Sequence, residues 1–61
     1  MREFIFQFWR LTSLDDNQIV TIVAENIEEA EKRARENVKD MSVDGIRDIW
    51  EIKNSQKIRI I

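Results

Sequence analysis

The sequence predicts a small α+β domain, a three- or four-stranded, mainly antiparallel sheet with one helix packed on one face, in the order ββαβ(β). Three observations predict it: two β-rich runs open the chain, a capped amphipathic helix follows, and shorter β-rich runs close it. The length of 61 residues favours a single domain over residues 1–61.

The first strand is predicted over Arg2–Thr12, because three phenylalanines alternate with other residues along it. Phe4, Phe6 and Phe8 fall on one face. The opposite face of the same strand carries Ile5, Trp9 and Leu11. Both faces of this strand are therefore apolar.

The second strand is predicted over Gln18–Ala24, which is dense in β-branched residues. Ser13–Asn17 is rich in turn-forming side chains, so an antiparallel hairpin with the first strand is expected. Asp15 and Asp16 offer the oxygen ligands that calcium prefers, but the spacing departs from that of a calcium-binding loop. A solvated turn is the favoured interpretation, and no metal site is predicted.

A helix is predicted over Glu25–Met41. Asn26 is a good N-cap, and Glu29 stands three residues later, as in a capping box. Apolar residues recur at spacings of three and four along one narrow stripe: Ile27, Ala30, Ala34, Val38 and Met41. Opposite charges are spaced four apart on the outer face: Glu28–Lys32, Glu29–Arg33, Glu31–Arg35 and Lys32–Glu36.

After the helix, Ser42–Gly45 is expected to turn the chain, with Gly45 free to adopt positive φ. A third strand is predicted over Ile46–Lys53, and a short fourth strand or ordered tail over Lys57–Ile61 after a turn at Asn54–Gln56. The strand order stays open. If the third strand pairs in parallel with the first, the helix is a right-handed crossover.

Strict alternation assigns the side chains of the third strand to two faces. Ile46, Trp50 and Ile52 share a face with Asp48, while Ile49 points to the other.

Composition narrows the function classes. The chain has no cysteine, histidine or tyrosine, so disulfides, thiolate metal sites and the commonest general base are excluded. No catalytic residue, cofactor or metal is predicted, and the protein is not expected to be an enzyme. No signal peptide or membrane-spanning run is recognised, so the cytoplasm is the expected compartment and no membrane partner is expected.

One helix covers only one face of a sheet. If it covers the phenylalanines, Ile5, Trp9 and Leu11 remain on the far side, with some of Val20, Ile22, Ile49 and Ile61. An apolar patch of that size predicts an interface with a protein partner, most simply a homodimer. We expect this interface, whether face to face or edge to edge, to use four apolar residues: Ile5, Trp9, Leu11 and Trp50. In the alternative, the strand twists, and the helix and C-terminal tail wrap both faces.

Nucleic-acid binding is a second, less favoured interpretation. A basic helix sector would contact phosphates through Lys32, Arg33, Arg35 and Lys39. Trp9 and Trp50 would stack bases on an open sheet face. Against this, the formal net charge is −2, whereas counterion release favours a clear positive excess.

Residues 19–34, IVTIVAENIEEAEKRA, resemble a pattern of small bacterial and bacteriophage ββα accessory proteins, in which a strand ends in Ala-Glu-Asn and a helix opens with Glu-Glu-Ala. The resemblance covers about a quarter of the chain and marks a junction between strand and capped helix. It implies an accessory protein of a phage or mobile element that binds a host protein stoichiometrically. The resulting hypothesis is a non-enzymatic, homodimeric inhibitor or regulator in the host cytoplasm, without assigned functional residues.

Overall fold

A computed structural model describes residues 1–11 and 18–61 and has the predicted α+β class. Its elements are β1 (Arg2–Trp9), β2 (Gln18–Ala24), α1 (Ile27–Asn37), β3 (Gly45–Lys53) and β4 (Gln56–Arg59). The strands form one antiparallel sheet in the order β2-β1-β3-β4. The predicted turn over Ser13–Asn17, with Asp15 and Asp16, lies outside the described residues. β2 has its predicted bounds, whereas β1 ends at Trp9, before the predicted end at Thr12.

The strand that is apolar on both faces occupies the interior of the sheet. β1 pairs with β2 on one side and with β3 on the other. Because β3 runs antiparallel to β1, the conditional alternative of a parallel pair joined by a crossover helix is wrong. The register places Phe4 between Ile22 and Glu51, and Ile5 between Thr21 and Trp50.

The core lies on the phenylalanine side of the sheet. Phe4, Phe6 and Phe8 are each 0% exposed, so their predicted burial is confirmed. Burying a side chain of this size contributes about 1.5–3 kcal/mol. The same cluster contains Ile22, Ala24 and Ile49 from the sheet and Ala30, Ala34 and Val38 from the helical segment. The fully buried alanines allow the helix backbone to come close to β2 and β1.

Three side chains that were candidates for the far side lie on the phenylalanine side instead. Val20 and Ile49 stand opposite Phe6, and Ile22 stands opposite Phe4. Directly opposed residues point to the same face, so all three pack in or against the core. The fourth candidate, Ile61, follows the end of β4 and is largely exposed.

The prediction that Ile46 shares a face with Trp50 is wrong, because a β-bulge interrupts the alternation of β3. Gln7 pairs with Asp48, but Phe8 pairs with Ile46, which leaves Arg47 as an extra residue in β3. The extra residue reverses the alternation. Ile46 therefore packs against the phenylalanine core.

The helix is shorter than predicted, although its cap is as expected. Asn26 has extended backbone angles, and its side chain accepts a hydrogen bond of 2.8 Å from the Glu29 amide. At the other end, Val38 leaves helical geometry while its amide still donates to the Arg35 carbonyl. Met41, predicted as the last member of the apolar stripe, lies beyond α1 and is exposed.

The turn after the helix uses a different residue from the one predicted. Ser42 adopts positive φ, 56°, whereas Gly45 does not and instead opens β3, so the prediction for Gly45 is wrong. The turn between β3 and β4 has two central residues with positive φ, Asn54 at 51° and Ser55 at 63°. This geometry matches the right-handed twist of a hairpin. The ladder continues past β4, since the Ile60 amide donates to the Ile49 carbonyl at 2.8 Å.

Candidate interaction surface on the open face of the sheet

The side of the sheet opposite the phenylalanines contributes no side chain to the buried cluster, among the residues that the structure describes. We call it the open face. Strand pairing and alternation define its members: Glu3, Ile5, Gln7 and Trp9 from β1; Ile19, Thr21 and Val23 from β2; Asp48, Trp50 and Ile52 from β3; Lys57 and Arg59 from β4.

The middle of the open face is an apolar patch. Ile5 and Trp50 are directly opposed on the two central strands, and Ile52 lies beside Glu3 in the next pair. Ile5, Trp50 and Ile52 are half-buried by their neighbours within the sheet. At the β2 edge, Ile19 is 64% exposed and Val23 49% exposed. Ile19 and Val23 were not among the predicted interface residues, although the alternation of β2 places them on the face away from the buried Ile22 and Ala24.

Trp9 lies at one end of the open face because the residue opposite it has no side chain. Trp9 pairs with Gly45, and a Cβ added at Gly45 would lie 2.9 Å from the indole Nε1. The glycine thus provides room for the ring, a role that the sequence did not reveal. Of the four predicted interface residues, the open face brings together Ile5, Trp9 and Trp50. Leu11 lies beyond β1, is 69% exposed, and has its amide bonded to the Asp44 carboxylate.

Charged side chains border the apolar patch on its β4 side. The Arg59 guanidinium is 2.7 Å from the Asp48 carboxylate. The Lys57 ammonium stands over the Trp50 ring, 4.0 Å from its centroid, a cation–π contact. Lys57 has no carboxylate partner, and Glu3, on the other side of Ile52, has neither an ion pair nor a hydrogen bond from its side chain within the described ranges.

The rim of the phenylalanine side, by contrast, has a satisfied charge pair. The Arg2 guanidinium donates to both oxygens of Glu51, at 2.8 and 3.0 Å, and lies over the Phe4 ring. The hydrogen bond from Arg2 lowers the pKa of Glu51 below its ordinary value, against an opposing effect of desolvation and with help from the charge of Arg2. The same hydrogen bond raises the pKa of Arg2. Arg2 and Glu51 are thus paired with each other within the chain.

The basic helix sector is largely neutralised by contacts within the chain. Arg35 pairs with Glu31 at 3.2 Å, as the spacing predicted, and Lys39 pairs with Glu36 at 3.0 Å. Arg33 does not pair with Glu29 but donates to the Val23 carbonyl of β2 at 2.7 Å. Only Lys32 of the four basic residues has no polar partner among the positions that the structure describes.

The described part of the chain has no group of three carboxylates that could hold a metal ion. Asp44 accepts from Leu11, and Asp48 is paired with Arg59, so each is engaged separately. No helix within residues 1–11 and 18–61 has both the length and the apolar content needed to cross a bilayer.

Comparisons with models of known protein families, with curated proteins and with solved structures found no match to this chain. The chemistry of the open face is therefore the basis for the function proposed below.

Proposed function

We propose that this protein is a non-enzymatic interaction module that forms a homodimer through its open face. In this proposal it acts in the cytoplasm as an inhibitor or regulator that binds a host protein, in the manner of a bacteriophage or mobile-element accessory protein. The dimer interface uses Trp50, Ile5 and Trp9. The charged outer surface of α1 remains available for the host protein.

One observation carries the proposal: β1 buries its phenylalanines completely on one side, while the other side of the sheet carries apolar side chains that are partly exposed. Phe4, Phe6 and Phe8 are inaccessible, whereas Ile19 and Val23 on the open face are about half exposed or more. The proposal takes α1 to pack on the phenylalanine face alone, which is supported by the burial of Ala30 and Ala34 in the phenylalanine cluster. Large exposed apolar patches are typical of interaction sites.

The two sheet edges are less suited to association than the open face. At the β2 edge, one carbonyl already accepts a hydrogen bond from Arg33. The other edge, β4, is four residues long and carries Lys57 and Arg59. Short strands and positive charges are devices that discourage edge-to-edge pairing. These features favour face-to-face association over the edge-to-edge alternative.

The dimensions of the face indicate a weak dimer. Strands about 4.8 Å apart, rising about 3.3 Å per residue, give a four-stranded face of about 500 Å². Two such faces bury about 1,000 Å² in total, at the low end of specific interfaces. We therefore expect dissociation in the micromolar range, about −8 kcal/mol or weaker.

Sedimentation equilibrium between about 5 and 500 µM tests the dimer. The wild-type chain is expected to shift from monomer to dimer over this range. Trp50→Ala and Trp9→Ala are expected to raise the dissociation constant about tenfold or more, because each removes an aromatic anchor. Circular dichroism of each variant checks that the fold is retained.

Ile58→Ala is the matched control, since Ile58 is opposed to Glu51 and so lies on the phenylalanine side of β4, with an exposed side chain. It should leave the association unchanged. A monomeric wild-type chain at 500 µM would remove the homodimer from the proposal. Equal weakening by Ile58→Ala and Trp50→Ala would move the interface away from the open face.

The host-protein part of the proposal needs a separate experiment. Tagged chain is incubated with bacterial lysate, and the captured proteins are identified by mass spectrometry. A directly interacting protein should also bind the purified chain at a fixed ratio, and that binding should weaken when the charges of Lys32 and Glu36 are reversed. Failure of every captured protein to bind the purified chain would contradict this part of the proposal.

The second candidate function is binding of single-stranded nucleic acid by the same face. The juxtaposition of Trp50 with Lys57 and Arg59 favours it, because an aromatic ring with adjacent cations is the usual platform for a base and its phosphate. A salt-sensitive mobility shift with DNA or RNA oligonucleotides, lost in Trp50→Ala, would support this function. Absence of a shift at low salt would dispose of it.

A further inference from the structure

We infer that the second copy docks with a two-fold axis that runs parallel to the strands between β1 and β3, so that Glu3 of each protomer meets Lys57 of the other. The inference rests on the proposed homodimer and adds its register. It follows from the distribution of charge across the open face.

The open face divides into an acidic half and a basic half. In the half formed by β1 and β2, Glu3 is the only charged side chain. In the half formed by β3 and β4, Asp48 lies 2.7 Å from Arg59 and 3.8 Å from Arg47, and Lys57 has no carboxylate partner within residues 1–11 and 18–61. The half that contains Glu3 is therefore net negative, and the half that contains Lys57 is net positive.

Glu3 and Lys57 are the two charges of this face that have no partner of opposite sign in the described part of the chain. They stand in one row, on either side of Ile52, because Glu3 is opposed to Ile52 and Ile52 is opposed to Lys57. Within the chain they do not pair, since two strand spacings of about 4.8 Å separate their backbones. Lys57 instead covers Trp50.

A two-fold axis between β1 and β3 exchanges the two halves. β1 and β2 of one protomer then lie over β3 and β4 of the other, with Ile5 against Trp50 and Val23 towards the stem of Lys57. In an isologous interface every contact forms twice, so both free charges of both protomers are used. Glu3 faces Ile52 of the other protomer with Lys57 one strand to the side, within reach of a lysine side chain.

Other arrangements use these charges less well. An axis perpendicular to the strands places β4 over β4, and Arg59 then approaches its own copy. Like charges brought together at an interface disfavour association. The axis parallel to the strands is the one that covers the whole apolar patch and opposes unlike charges.

A charge-swap cycle measured by sedimentation equilibrium tests the register. Glu3→Lys and Lys57→Glu should each raise the dimer dissociation constant about three- to tenfold, since two rim ion pairs become two repulsions. The dissociation constant of the double variant should lie within about twofold of the wild-type value, because the ion pairs re-form with reversed polarity. Glu28→Lys on α1 and Lys53→Glu on the phenylalanine side of β3 match the changes in net charge and should have little effect.

The outcomes separate this inference from the proposed function. If both single variants weaken the dimer and the double variant does not recover, the register is wrong although the open face is still the interface. If neither single variant changes the dissociation constant while Trp50→Ala does, the charges are not opposed and the inference is also overturned. A chain that stays monomeric, or that is insensitive to Trp50→Ala, removes the homodimer itself.

Discussion

Both faces of β1 carry large apolar side chains, but these side chains differ greatly in burial. Phe4, Phe6 and Phe8 are completely inaccessible, whereas Ile5 and Trp9 on the reverse side are half-buried. The phenylalanines are buried together with two helix alanines, whereas no side chain of the open face belongs to this cluster among the described residues. Full burial in β1 therefore coincides with membership of the cluster that contains the helix alanines.

Charge follows the same division. On the phenylalanine side, Glu51 has both oxygens bonded to Arg2. On the open face, Glu3 and Lys57 have no partner of opposite sign among residues 1–11 and 18–61. The two sides of the sheet thus differ in the burial of the apolar side chains of β1 and in the pairing of these charged side chains.

Truncating one side chain on each face tests this comparison most directly. Phe6→Ala should lower the free energy of unfolding by about 3–5 kcal/mol, because it leaves a cavity in a closed cluster. Ile5→Ala, the neighbour that points to the other side, should cost less than half as much. Urea denaturation at about 1 µM, a concentration at which the proposed dimer would be dissociated, measures both.

A loss of 3–5 kcal/mol is a large part of the stability of a small domain, and Phe6→Ala is expected to be largely unfolded. Phe6→Leu provides a milder variant whose unfolding can still be followed. Equal costs for the Phe6 and Ile5 substitutions would mean that the two faces are closed to the same degree.

Gly45→Ala changes the open face alone and should lower the free energy of unfolding by less than Phe6→Ala does. A methyl group at Gly45 would lie 2.9 Å from the Trp9 Nε1, so the indole must move off the sheet. Crowding of this kind costs about 1–3 kcal/mol, and the reduced entropy of the unfolded chain returns about 0.4–1 kcal/mol. We expect a net loss of about 1 kcal/mol.

The displaced indole should also change its emission. A shift in tryptophan fluorescence, measured in a Trp50→Phe background so that Trp9 alone reports, accompanies the loss of stability. An unchanged spectrum would mean that Trp9 does not rest on Gly45.

The smallest expected effect is the pH dependence of the free energy of unfolding that arises from Glu51. Its pKa in the folded chain is lowered, chiefly by the hydrogen bond from Arg2, so the folded chain binds fewer protons than the unfolded chain in acid. The contribution is complete above the ordinary glutamate pKa and is lost as pH falls through the lowered value. Because the Arg2 side chain is 46% exposed, solvent screens the pair and the effect is modest.

Urea denaturation from about pH 6 to pH 3 measures this contribution. Glu51→Gln should make the stability of the chain less dependent on pH over that range. Glu28→Gln, on the exposed side of α1, is the control and should leave the slope nearly as in the wild type. An unchanged slope in Glu51→Gln would show that the pair with Arg2 does not contribute.

Local chemistry made several elements predictable. The bounds of β2 and the cap at Asn26 were predicted correctly, because a β-branched run and an Asn with Glu three residues later depend on nearby residues alone. The end of the helix was not predicted, since residues 38–41 continue the apolar spacing but not the helical backbone. No local sequence signal indicates the positive φ at Ser42. Positive φ was predicted at Gly45 instead, because glycine adopts it readily.

The candidate surface was predictable in part. Alternation alone puts Ile5 and Trp9 opposite the phenylalanines, and Trp50 follows once β3 is paired with β1. The face of Ile46 could not be predicted, because the bulge at Arg47 reverses the alternation and no local sequence pattern indicates that bulge. The pairing of Arg59 with Asp48 could not be predicted either, because it requires β4 to lie beside β3.

The sequence by itself determined the element types, the cap of the helix and the presence of two apolar faces, since these depend on neighbours within a few positions. Only the tertiary structure decided that β3 lies antiparallel beside β1, that the three phenylalanines are fully buried, and that Glu3 and Lys57 flank Ile52 without an ion pair among the described residues. These properties depend on which distant segments meet, and periodicity along a chain carries no information on that choice.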